Sequence, residues 1–311
     1  MNAIASKSRH VRRRKATPVK QRKTASDRVV DIAIAVIITL IVLAIIYPLW
    51  FIVIASFSQP DAVASGQVIL LPKGVSLSGY AKILSDSRIW IGYRNTILYT
   101  LVGTAVNLVV TIPAAFALSR REFKPRRIIM FLFAFTMFFS GGLIPSYLLI
   151  KQLGLLNSMW VFILPGAFGV YNMIIARSFF ESSIPEELYD SARVDGVSYF
   201  GFFLRIVLPL SSAIIAVIGL YCFVGHWNDY FTGLIYIRDQ SKQPLQNILQ
   251  MILLANQTQS GTAGMSAAQT QNFADQIKFG VIIVSTLPLL VLYPFLQKYF
   301  NKGVMIGAVK G

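Results

Sequence analysis

The chain has 311 residues, of which 55% are hydrophobic and only 14% charged, and its formal net charge is +16. Soluble globular chains carry about a quarter charged residues, so much of this surface must face something other than water, and the solvent implied is lipid. A single cysteine, Cys222, excludes an internal disulfide; it falls in an apolar run and reads as a small packing residue.

The N-terminal arm, residues 1–28, holds ten of the 29 Lys and Arg residues. Such clustering speaks against nucleic acid as the partner. A basic arm binds anionic lipid headgroups or simply holds the N-terminus in the cytosol. The apolar run after it is too long for a signal-peptide core, and no small-x-small site ends it cleanly.

A bilayer core takes about 20 apolar residues as a helix. The first predicted span covers 32–54, where 16 residues are Ile, Leu, Val or Phe. At roughly −0.4 kcal/mol each, these favour insertion by about 6 kcal/mol. Pro48 is expected to kink this span near its outer end. Further spans are predicted over 93–118, 128–150, 160–180, 206–227 and 279–300. In the third, Ser140-Gly141-Gly142 and Pro145 predict an outer end that is broken or re-entrant. The expected architecture is therefore an all-α integral membrane domain over 29–311 with six transmembrane helices.

Charge orients it. With the N-terminus inside, the inner side holds 21 basic residues and the outer side 8. The positive-inside rule selects this N-in/C-in arrangement. Two outer segments, 57–92 and 228–278, are long enough to suggest a function, such as docking an external partner, or a plain tether.

The sequence contains no G-x-x-x-x-G-K-[ST], no H-E-x-x-H and no G-x-S-x-G. Its two histidines, His10 and His226, have no metal-ligand partner in register. No enzymatic role and no cofactor of its own are expected. The spans carry few ionisable groups, with Asp31 and Arg94 near span edges, whereas a proton-coupled carrier more often places a carboxylate mid-span. The energy source is expected on another subunit.

The loop between the fourth and fifth spans, 181–210, reads ESSIPEELYDSARVDGVSYFGFFLRIVLPL. Ser183 and Glu186 have capping-box spacing, with Pro185 expected in the first turn. Glu186 and Glu187 suit the positive end of the helix dipole. The helix is expected to run to Asp195, with Gly196 ending it at positive φ. Leu188 and Ala192 share one face, and Ser191-Ala192 make a small centre fit for a groove. Ser198 can start a second helix carrying Phe200, Phe203 and Leu204. Such a helix is either a contact for a soluble partner or an ordinary interfacial connector.

Pro185-Glu186-Glu187-Leu188, Asp190-Ser191-Ala192, Asp195-Gly196, Phe203, Ile206 and Leu208-Pro209-Leu210 resemble, in order and spacing, the EAA loop of ATP-binding-cassette (ABC) importer permeases. One departure is that Asp190 and Ser191 stand where the family usually has Glu and Ala. Asn95-Thr96 and AAFALSR at 114–120 resemble the second-span pattern of the carbohydrate-uptake, maltose-type permeases. SGGLIP at 140–145 and GVMIGAVKG at 303–311 resemble the LplC/YtcP-like subgroup, associated with complex oligosaccharides that include plant cell-wall fragments.

The resemblance implies a type I ABC importer permease fold. It implies a homologous second permease, two cytosolic ATPase subunits that bind the ATP and Mg, an external lipid-anchored solute-binding protein and an oligosaccharide substrate. Glu186, Glu187, Leu188, Asp190, Ser191, Ala192, Asp195 and Gly196 would form the ATPase-coupling helix. The tail residues Val309, Lys310 and Gly311 would insert between the ATPase subunits, and part of 233–275 would meet the binding protein.

A candidate pathway face recurs on the second span: Thr96, Thr100, Thr104, Asn107 and Thr111 fall within an arc of about 80°. Hydroxyls and amides suit a sugar, and small polar residues also suit helix packing. Trp227, Asn228 and Tyr230 mix aromatic and polar groups suited to sugar rings, or to an interfacial belt. Two other readings remain open: a stand-alone secondary carrier and a non-transporting membrane scaffold or sensor.

Overall fold

The computed structural model describes residues 25–258, 277–291 and 294. Among these residues every regular element is helical. The helices are α1 (Ala25–Ser56), α2 (Pro60–Ala64), α3 (Ser78–Ser85), α4 (Ser87–Ser119), α5 (Arg126–Phe138), α6 (Leu143–Gln152) and α7 (Trp160–Ile163). They continue with α8 (Val170–Ser183), α9 (Glu186–Val194), α10 (Tyr199–Phe202), α11 (Leu208–Leu210), α12 (Ser212–Trp227), α13 (Phe231–Tyr236) and α14 (Leu245–Thr258). The last described helix, also apolar, is α15 (Ile277–Val291). The chain divides into two units, one ending at Trp50 and one beginning at Phe51.

Along α1 up to Trp50, apolar side chains are exposed on every side, with Ile32 at 63% and Leu40 at 61%. A helix apolar all round satisfies its backbone internally and leaves only side chains to its surroundings, the condition a bilayer imposes. Two described helices, Ser26–Ser56 and Ser87–Ser119, are long and apolar enough to cross a membrane, or four spans if each of two bent pairs is counted as one.

In the second unit α4 is the central element, packed against α12, α8, α14, α7, α3 and α5. The Asp86 side chain accepts from the Arg88 backbone N–H at 2.9 Å and starts the helix. The hydrogen bond and charge of the Arg88 side chain hold the Asp86 carboxyl below its usual range despite partial burial. At the same end, Thr96 Oγ1 accepts the Leu245 N–H at 2.8 Å, and Asn95 Nδ2 donates to the Ser241 and Gln243 carbonyls. The Asn95-Thr96 pair thus secures the start of α14.

Three predicted spans are interrupted, each for a local reason. The chain bends by 112° between α5 and α6 at 139–142, where Gly142 takes φ +83°; this is the break expected from Ser140-Gly141-Gly142. The 160–180 span is not one helix. It stops after α7 and resumes at α8, because Pro165 supplies no N–H and Gly166 and Gly169 disfavour helix between 166 and 169. The straight part of the fifth span begins at Ser212, not 206. Phe203–Val207 forms a π-turn ahead of Pro209, and an 80° bend separates 199–210 from α12. Pro209 removes the bond to the Arg205 carbonyl, which a wider turn tolerates.

Candidate functional site

The helix α9 stands between two of these breaks. Its start corrects the expected capping box. Ser183 belongs to the last turn of α8, Ile184 ends that helix, and Pro185 is the N-cap of α9 at φ −60°, ψ 151°, with no side-chain cap. A proline fixed in the extended region can begin a helix without a hydroxyl cap, and Glu186 and Glu187 still face the positive dipole end.

Its end matches the expectation. Asp195 is the C-cap, Gly196 adopts φ +73°, and the Gly196 and Val197 N–H groups donate to the Arg193 and Ala192 carbonyls at 3.1 and 3.0 Å. These are the two bonds of a Schellman motif, which needs the left-handed residue that glycine supplies.

The helix has two faces. Ala192 is 5% exposed, and Leu188 and Tyr189 pack on the same core. The Tyr189 ring meets Tyr199 and Phe202 edge-on, each at 5.2 Å. Glu186, Glu187, Asp190, Ser191, Arg193 and Asp195 are exposed, and Val194 is 89% exposed. Ser191 Oγ donates to the Glu187 carbonyl at 2.9 Å, so its hydroxyl is already engaged.

Beside α9 the last turn of α4 is clasped from several sides. Phe116 meets Phe203 in a tilted ring contact at 5.1 Å, and Phe180 and Tyr199 at 5.7 Å. The Arg120 guanidinium lies 4.7 Å over the Phe116 ring and Nη2 donates to the Ile184 carbonyl at 3.4 Å. Arg177 Nε donates to the Leu118 carbonyl at 3.1 Å. Burial pushes the Arg120 pKa down, and the charges of Glu186, Glu122 and Glu181 push it back; an arginine stays charged through such a shift. A cleft of about 500 Å³ opens here, lined by Ser119, Arg120, Arg121, Glu181, Pro185 and Glu187. Arg121 bridges Glu186 across its rim at 3.4 Å.

The polar stripe on α4 points into the bundle. Thr96, Thr100, Asn107 and Thr111 are buried, and the Thr100, Thr104 and Thr111 hydroxyls have no hydrogen-bond partner among the described residues. Asn107 Oδ1 pairs with His226 Nε2 at 2.8 Å and its Nδ2 donates to the Gly166 carbonyl at 2.6 Å. Trp227 is 2% exposed, stacked on Phe223 at 6.0 Å, and Nε1 donates to the Ser285 carbonyl at 3.1 Å. In this conformation it anchors α12 to α15 and presents no free ring to a sugar. Asn228 Nδ2 donates to the Val224 carbonyl of its own helix. The basic arm up to residue 24, the segment 259–276 and Val309, Lys310 and Gly311 lie outside the described residues.

Two partnerships escape the sequence. His226 stands alone there but meets Asn107, and Gly103, one turn before Asn107, leaves the space its ring fills. Arg120 enters the sequence reading as one inner positive charge and as the last residue of the second-span motif, and neither shows its contacts. The signal available was an arginine four residues after Phe116 at the end of an apolar helix, where its stem must lie along that ring.

The family model described as "Binding-protein-dependent transport system inner membrane component" matches residues 89–306. The chain is 39% identical over 285 residues to the Polygalacturonan/rhamnogalacturonan transport system permease protein YtcP of Bacillus subtilis (strain 168), covering 92% of this chain and 99% of that one. It is also 39% identical over 288 residues to Protein LplC of the same organism, covering 93% and 97%. A solved structure titled "Crystal structure of a bacterial ABC transporter involved in the import of the acidic polysaccharide alginate" contains a chain that is similar with TM-score 0.79 and 32% identity, over 90% of this chain and 99% of that one.

Proposed function

The chain belongs to the family of binding-protein-dependent transport system inner membrane components, and from that premise we propose that it forms half of the translocation pathway of an ATP-driven oligosaccharide importer and is coupled through α9 to a separate ATPase. It is a multi-pass bacterial membrane protein and a permease component of a sugar ABC transporter. The finer reading has six spans with both termini in the cytosol, which places α9 and its cleft on the cytosolic side. The 21-to-8 distribution of basic residues supports that orientation.

The observation that carries the coupling role is the build of α9. It is a nine-residue helix closed by Gly196 at φ +73°. Its inner face is fixed by Leu188, Tyr189 and Ala192 in the core shared by α4, α8 and α12. Its outer face, with Glu186, Glu187, Asp190, Ser191, Arg193 and Asp195, is free for a soluble neighbour. A short rigid element held in the core on one side and open on the other passes displacement from partner to spans. The two ATPase copies hold the ATP and Mg, a second homologous permease completes the pathway, and a lipid-anchored external protein delivers substrate. Val309, Lys310 and Gly311 would reach between the ATPase subunits.

The substrate class supported is an oligosaccharide from an acidic polysaccharide. The names of two similar proteins speak of polygalacturonan or rhamnogalacturonan and of alginate. Asn228 is already exposed at the end of α12, whereas contact of Thr100, Thr104, Asn107 or Trp227 with that sugar requires α4 and α12 to part during transport.

The test is purification by a tag on this chain. The expected result is a complex with a second permease and a P-loop ATPase, whose ATP hydrolysis rises with its sugar-loaded binding protein. Ion-gradient uptake by the chain alone in liposomes indicates a secondary carrier. A chain that purifies without any ATPase and transports nothing indicates a scaffold.

A further inference from the structure

We propose that Arg120, with Phe116 beneath it, is the positioning residue through which movement of α9 reaches the pathway helix α4; this rests on the coupling reading above. Arg120 is 6% exposed and forms no ion pair among the described residues. A buried guanidinium is expensive to desolvate, and surface placement was available one residue on, where Arg121 extends its side chain. What burial achieves is a link between α4 and the junction that leads from α8 into α9. The stem lies along α4, the guanidinium covers the Phe116 ring at 4.7 Å, and Nη2 reaches the Ile184 carbonyl at 3.4 Å.

Ile184 is the last residue before Pro185 and α9, so this bond holds the point where the coupling segment departs from α8. The other flank closes on the same ring, because Tyr199, Phe202 and Phe203 come after α9 and all pack on Phe116. Both ends of the α9 segment thus grip one turn of α4, and α4 is the helix that touches α12, α7 and α14. Phe116 supplies contact in every direction, while Arg120 supplies the directional link to Ile184. A lysine keeps the charge but has neither the planar face for the ring nor the fork of donors.

The test uses the complete transporter in nanodiscs with a bimane reporter at one of two exposed positions, Arg193→Cys on α9 or Arg94→Cys at the far end of α4. Each is read without nucleotide and after ADP–vanadate trapping. The unmodified Arg120 complex should show an emission shift at both positions. In Arg120→Gln the α9 reporter should still respond while the α4 reporter loses at least half of its shift, with Arg120→Lys between the two.

A full response at both reporters in Arg120→Gln overturns the proposal and leaves the coupling role intact. Silence at both reporters with Arg120 present removes the coupling role itself. A merely structural arginine lowers the yield of assembled complex while both reporters respond normally in what assembles, which also counts against the proposal. Should Arg120→Gln not assemble, Arg120→Lys carries the test under the same criteria.

Discussion

At the scale of single residues, two glycines occupy positions that no other residue fills cheaply. Gly196 holds φ +73°, yet a Cβ there would meet nothing within 4 Å. Gly196→Ala should therefore cost only the left-handed backbone penalty, about 1 kcal/mol. Gly196→Trp adds bulk on the face proposed to dock the ATPase and is expected to uncouple ATP hydrolysis from uptake; full stimulated hydrolysis and uptake in that variant would count against the docking role.

Gly103 presents the opposite case. A Cβ there would lie 2.5 Å from His226 Nε2, and a stiff ring cannot yield as a flexible tail does. Gly103→Ala should destabilise by roughly 1–3 kcal/mol. His226→Ala in the same chain should relieve most of that cost, so thermal unfolding of the double variant should show strong non-additivity. Additive losses would mean that the ring does not lie over Gly103. Sequence alone showed Gly196 because the helix signal ran straight into it. It did not show Gly103, because the residue it accommodates is 123 positions away (103 to 226).

At the scale of elements, periodicity and apolar length found α1 and α4, and the Ser140-Gly141-Gly142 run found the break before α6. What escaped was set by proline and by distant partners. The 160–180 and 206–227 segments are predominantly apolar, so composition reads them as continuous, while Pro165 and Pro209 decide where their hydrogen-bond ladders stop. The capping box failed for a related reason. Ser183 and Glu186 have the right spacing, but Pro185 between them fixes an extended turn and leaves Ser183 in α8. The inner and outer faces of α9 were legible from Leu188 and Ala192 at helical spacing.

The outer face makes its own prediction. Val194 is 89% exposed in this chain alone, so Val194→Asp should leave the fold within about 0.5 kcal/mol of the parent. If an ATPase covers that valine, the loss of about 1.4 kcal/mol of apolar burial weakens association about tenfold. Titration of the ATPase onto the permease complex measures the difference, and unchanged affinity would place Val194 outside the contact.

At the scale of the whole molecule, the charge distribution predicts the orientation. Leu71, 72% exposed in the 57–92 segment, should lie outside the cell and α9 inside. A membrane-impermeant maleimide applied to intact cells should label Leu71→Cys and spare Asp195→Cys. Native Cys222 is buried and should stay silent. The reverse pattern would invert the topology. The polar stripe of α4 belongs to this scale as well. Its Thr100 and Thr104 hydroxyls, without a hydrogen-bond partner among the described residues, and the Asn107–His226 pair lie between packed helices, where small polar residues suit helix packing and a passage alike.

Coupling requires α9 to meet a nucleotide-hydrolysing neighbour. A photoreactive benzophenone amino acid at Val194, irradiated in native membranes, tests this most directly. The predicted product is an adduct between this chain and a P-loop ATPase, identified by mass spectrometry of the cross-linked peptide. Adducts confined to lipid, or to this chain itself, would contradict it.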